Sequence, residues 1–153
     1  MNWFEIGSVI VGFLLGVTVL KSLAPLTLRF VLKFRFWVRH GRKGKVILFA
    51  YSDSPNWKDY IETKILPSLE GCSVILNWSK RREWESSMQF EERLLNQWAG
   101  SGEFTPTAIF FPLMGKVRVF RLFQPSNNPK HGKDKVSKEA EQSLLVAVKQ
   151  YGR

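Results

Sequence analysis

The chain has one cysteine and two histidines in 153 residues, and each scarcity removes a class of chemistry. With Cys72 alone there is no internal disulfide framework and no Cys-x-x-Cys pair for metal or redox work. His40 and His131 lie in linker or loop sequence, away from the strand ends where a cleft would form, which argues against a Ser-His-acid relay and a histidine-rich metal site. No Walker-type or dinucleotide-binding glycine loop occurs. Neither a metal nor a cofactor is therefore expected, and no residue is assigned a catalytic role. Acidic residues are also few near the start: residues 1–45 hold eight Lys or Arg against Glu5 alone. The remaining 108 residues are close to balanced, so most of the formal charge of +10 belongs to the N-terminal part.

The chain is nonetheless 44% apolar and 14% aromatic, enough for a packed core in one domain with an appendage. Residues 6–20, IGSVIVGFLLGVTVL, carry no charge. With Trp3, Phe4 and the residues around Lys21 the apolar span reaches about 20 residues, the length that crosses a bilayer core of roughly 30 Å. A cleaved signal peptide would need a basic start, and a buried helix would need a polar face; the segment has neither. The expectation is a single-pass transmembrane anchor over residues 1–25. Arg29, Lys33, Arg35, Arg39, Arg42, Lys43 and Lys45 all follow the span, which puts the N-terminus outside and the main domain in the cytoplasm.

Residues 26–44 are expected to form a basic juxtamembrane segment and linker. Arg29, Lys33, Arg35, Arg39 and Arg42 fall within about half the circumference of a helix, as in an interfacial helix, although a period-two strand reading stays open. Together with Lys43 and Lys45 they form a collar suited to anionic membrane lipids. Nucleic acid is not the expected partner, because the membrane accounts for the charge.

From residue 45 the periodicities alternate. KVILFAY (45–51) reads as a strand buried on both faces. Ser54 and Pro55 read as the cap and first position of a helix carrying Trp57, Tyr60, Ile61, Ile65 and Leu69. CSVILNW (72–78) reads as a second strand. A helix of about 16 residues follows, with Trp84, Met88, Leu95 and Trp98 on one face. Residues 105–123 read as two strands joined by a tight turn at Met114–Gly115. A polar loop then leads to a helix from Val136 to Tyr151, with Ala140, Leu144 and Val148 on its apolar face. The order is β-α-β-α-β-β-α, with a parallel pair first and an antiparallel hairpin later.

That order, with Thr105-Pro106-Thr107 opening the third strand, resembles the minimal thioredoxin-like fold. ILFAYSDSPNWKDYI is similar to that family's first strand and active loop, and FTPTAIFFPLMGKVRVF to its proline-strand-turn-strand segment. The expected fold class is thus α/β: an N-terminal transmembrane helix plus a thioredoxin-like domain over residues 45–153. The resemblance implies a cis peptide bond before Pro106, facing the loop. It also implies that Asp53 and Asn56 stand where the family has its two cysteines, so thiol-disulfide exchange is not expected.

In this topology one sheet edge gathers Ser52, Asp53, Ser54 and Asn56 from the first loop. Asn77, Trp78, Ser79, Lys80, Arg81 and Arg82 come from the second, and Thr105, Pro106 and Thr107 from the third. Two uses of that edge follow. As the family resemblance implies, a redox-inactive module would hold an extended peptide of a protein partner along the Pro106 strand. Alternatively, an enzyme or sensor would hold a small anionic ligand between the Ser52–Asn56 turn and Arg81–Arg82. A third reading places function in the lipid-binding collar itself.

Overall fold

The computed structural model describes residues 24–83, 89–100, 105–124, 135–136 and 138–151. The chain divides into two units, residues 1–35 and 36–153. In the first, the described residues are helical; this helix, α1, runs over residues 24–39, of which 36–39 belong to the second unit.

The membrane-spanning helix expected from the sequence is corrected here. Among the described residues no helix is long and apolar enough to cross a membrane. Arg29, Lys33, Arg35 and Arg39 recur along α1, so none of its turns is free of a neighbouring cation. The charge-free run of residues 6–20 lies outside the described residues. The transmembrane and single-pass assignments have no support in the structure.

The second unit is built around β1, Ile47–Tyr51, in which every residue is buried. Such a run needs cover on both faces and partners on both sides. β2, Ser73–Asn77, pairs with β1 in parallel, Ile47 opposite Ser73 and Tyr51 opposite Asn77. β3, Thr107–Phe110, pairs antiparallel on the other side, Ile47 opposite Phe110 and Ala50 opposite Thr107. β4, Arg118–Arg121, completes a mixed sheet of order β2-β1-β3-β4. The parallel pair and the antiparallel hairpin follow the order read from the sequence. The hairpin connection, however, spans residues 111–117 rather than a tight two-residue turn.

Side chains alternate across the sheet. Ile47, Phe49 and Tyr51 join one core with Ala108, Phe110 and Phe120. Over them lie Ile61 and Ile65 of the helical segment α2, which runs as α-helix Lys58–Tyr60, π-helix Ile61–Ile65 and α-helix Leu66–Ser68, together with its flanking residues Trp57 and Leu69. Leu144 and Ala147 of α4, Lys138–Tyr151, complete that layer. α3, Gln89–Trp98, contacts β1 and buries Phe90, Leu94 and Leu95. By alternation Leu48 and Ala50 point away from the first core, and α3 supplies their cover.

Three expected boundaries move. α2 begins at Lys58, three residues beyond Pro55, because the intervening turn is spent on other contacts described below. The second helix is split: a 3-10 segment, Trp78–Glu83, precedes α3, and Trp84 and Met88 lie outside the described residues. Val136 belongs to a two-residue strand β6, Lys135–Val136, paired with β5, Phe123–Gln124, and α4 starts only after it.

The stretch read as a linker is also structured. Gly41–Lys43 form a 3-10 turn closed by Gly44, whose φ of 79° is a conformation that favours glycine. Phe36 is fully buried, with its ring 4.3 Å from that of Phe111, and Trp98 meets Phe111 edge-on at 5.2 Å. Glu91 of α3, 2% exposed, accepts a 2.6 Å contact from His40 Nε2 and lies 3.4 Å from Arg39 Nε. The last turn of α1 thus belongs to the packed domain. Replacing Phe36 with alanine is expected to cost about 3–5 kcal/mol by urea denaturation, the range for a buried phenylalanine. A loss of less than about 1 kcal/mol would detach this turn from the core.

Candidate functional site

The parallel register brings the C-terminal ends of β1 and β2 together, and the Ala50–Thr107 pairing adds the start of β3. The three segments expected at one edge do meet there. Their polar groups, however, are largely engaged with one another. Asn77 Nδ2 donates to Asp53 Oδ1 at 2.8 Å, the Asp53 amide donates to Ser79 Oγ at 2.9 Å, and the Ser79 amide donates to Asn77 Oδ1 at 3.0 Å. The links close a ring that ties the first turn to the second. Lys58 Nζ lies 3.8 Å from Asp53 Oδ1 and adds a partly exposed ion pair.

The rest of the first turn serves the backbone. Ser54 Oγ accepts from the Asn56 amide at 3.4 Å, and the Ser54 carbonyl accepts from the Trp57 and Lys58 amides. Trp57 Nε1 donates to the Ser52 carbonyl at 3.0 Å, holding the turn against a buried indole. This is the side-chain competition by which Ser, Asp and Asn build turns.

The third segment is occupied as well. Pro106 and Thr107 are buried, the Pro106 carbonyl accepts from the Leu122 amide at 3.0 Å, and Thr107 Oγ1 donates to the Thr105 carbonyl at 3.0 Å. The Thr105–Pro106 bond is trans, a departure from what the family resemblance implied. β3 has ladder partners on both sides, so the outer edges of this sheet belong to β2 and β4.

What stays open is the second turn. Trp78, Ser79, Arg81 and Arg82 line a groove of about 600 Å³. The Arg81 guanidinium lies 5.2 Å from the centre of the Trp78 ring, within cation–π range, and its Nε is 3.4 Å from Glu92 Oε1. Arg81 and Arg82 are exposed at the rim. Two guanidinium forks beside an indole face suit a planar or tetrahedral anion.

A cluster that sequence reasoning missed lies between α2 and α4. Tyr60 donates to Glu141 Oε2 at 2.6 Å, and Lys64 Nζ reaches both Tyr60 Oη at 3.2 Å and Glu141 Oε1 at 3.4 Å. They line a second groove of about 350 Å³ with Lys138, Gln142 and Leu145. Its only sequence signal is the four-residue spacing of Tyr60 and Lys64 on a helix. Burial, then the bond to Glu141, raises the Tyr60 pKa above the usual 10.0. Burial likewise raises Tyr51, with the Glu62 charge adding to it, and raises the Cys72 thiol above 9.0. Cys72 Sγ donates to the Leu69 carbonyl at 3.3 Å. Among the described residues no group of His, Cys, Asp and Glu is arranged to hold a metal.

Comparison with known proteins yields no match: no family model, no curated protein and no solved structure.

Two outcomes follow. Asn77→Ala opens the ring and is expected to lower stability by about 1–2 kcal/mol, as for a partly exposed hydrogen bond to a carboxylate; unchanged stability would show that the ring carries no load. The raised pKa values of Tyr51, Tyr60 and Cys72 mean that the folded state holds these protons more tightly than the unfolded chain. Their contribution is complete below the ordinary values and is lost as pH rises through the folded ones. The denaturation midpoint should therefore fall above about pH 9, and Tyr60→Phe should flatten that fall. An unaltered alkaline slope in the variant would contradict the assignment to Tyr60.

Proposed function

We propose that residues 36–153 form a binding module without redox chemistry, which receives an anionic group in the groove of Trp78, Ser79, Arg81 and Arg82. The observation that carries this reading is that the cation-and-indole groove shares Ser79 with the Asp53–Asn77–Ser79 ring. The ring fixes the base of the turn, so the two arginines are presented from a braced support. An entering phosphate or carboxylate would compete with Glu92 for Arg81 and gain charge-assisted hydrogen bonds.

The thioredoxin-like resemblance belongs to the same proposal. It is supported by the element order, the parallel β1–β2 pair and the antiparallel β3–β4 pair. Within it, Asp53 serves as a brace between turns where the family has a reactive cysteine. Holding a peptide by strand addition along Pro106 is less well served, because β3 is hydrogen-bonded on both sides.

Thermal shift with inorganic phosphate and with nucleoside phosphates tests the groove. Saturating ligand at about 100 times Kd should stabilise the wild type by about 2.7 kcal/mol. Arg81→Ala combined with Arg82→Ala should abolish the shift. An equal shift in the double variant would place the anion elsewhere, and no shift with any anion would remove the proposal.

A further inference from the structure

Helix α1 presents large apolar side chains to solvent. Leu26 is 62% exposed, Phe30 71%, Val31 56% and Phe34 59%. At about 100° per residue these four fall within an arc of roughly 140°. Arg29 and Lys33 border the arc on one side and Arg35 on the other, with Leu28, 49% exposed, just beyond Arg35. Two phenylalanines, a leucine and a valine exposed together form a contiguous patch, unlike the singly scattered apolar residues of an ordinary surface.

The border identifies the occupant. A second copy of the same helix would bring like charges against like charges along both margins, which disfavours self-pairing. An anionic lipid surface matches every part of the pattern: its acyl boundary takes the apolar arc, and its headgroups meet the cations that flank it. The long stems of Arg and Lys let their charged ends rise to the headgroups while the arc sinks. We infer that the face of Leu26, Phe30, Val31 and Phe34 lies flat in the headgroup–acyl boundary of an anionic lipid surface, as a peripheral contact and not a span. The inference is independent of the groove at Trp78–Arg82.

The test is co-sedimentation of the full chain with vesicles of phosphatidylcholine alone and of phosphatidylcholine with phosphatidylserine. The expected result is binding to the anionic vesicles that weakens as salt rises. Phe30→Glu combined with Phe34→Glu should weaken it at least about tenfold, since a charge then enters the acyl boundary. Arg29→Ala should weaken it by roughly fivefold, the equivalent of about 1 kcal/mol. Circular dichroism and urea midpoints should match the wild type for both variants, because the substituted side chains are exposed. Three results would overturn the inference: no vesicle binding by the wild type, equal binding by the Phe30/Phe34 variant, or wild-type self-association in sedimentation velocity that this variant abolishes without any vesicle binding.

Discussion

Strand β1 has no exposed side and no exposed edge. Each of its five residues is buried, β2 pairs with it on one side and β3 on the other, and helices cover both faces. A strand so placed must be apolar throughout, and its register fixes its neighbours. Ile47 opposite both Ser73 and Phe110 sets one end of the sheet; Ala50 opposite Thr107 and Tyr51 opposite Asn77 set the other. The position of every residue at the candidate edge follows from these pairings.

The same constraint governs the edge's chemistry. Where two parallel strands end side by side, their turns carry backbone groups that no ladder pairs, and side chains of the same turns can serve as their partners. Asp53, Asn77 and Ser79 supply those partners to each other, while Ser52 and Ser54 supply them to the start of α2. Residues of the turn that follows β1 are thereby committed to bracing. The exposed arginines one step further along the second turn line the groove to which anion binding is proposed.

Much of this was legible where side-chain pattern and burial coincide. KVILFAY has no polar position to face water, so its central placement could be read directly, and so could the parallel step to CSVILN. The convergence of three loops followed from topology alone. Other features depend on contacts that no local pattern records. Ser54-Pro55 has the composition of a helix start, but the Asp53 amide is bonded to Ser79, 26 residues away, and the helix begins later. Glu91 is buried on α3 against His40, 51 residues distant, a contact that no local pattern announces. The two-residue pairing of β5 with β6 is too short to leave a periodicity. The membrane span was read from composition over residues that lie outside the described structure, and the described helix that follows them is too interrupted by charge to cross a bilayer.

Native-state hydrogen exchange resolved to single amides tests the account most directly. It predicts that the Asp53 amide, in a turn beyond the end of β1, exchanges far more slowly than an open loop amide because it donates to Ser79 Oγ. The slowest amides of the chain should lie in β1 and β3. If Asp53 exchanges at the rate of an unprotected loop while β1 remains protected, the two turns are not joined. The groove at Trp78–Arg82 would then lose the support on which its proposed role rests.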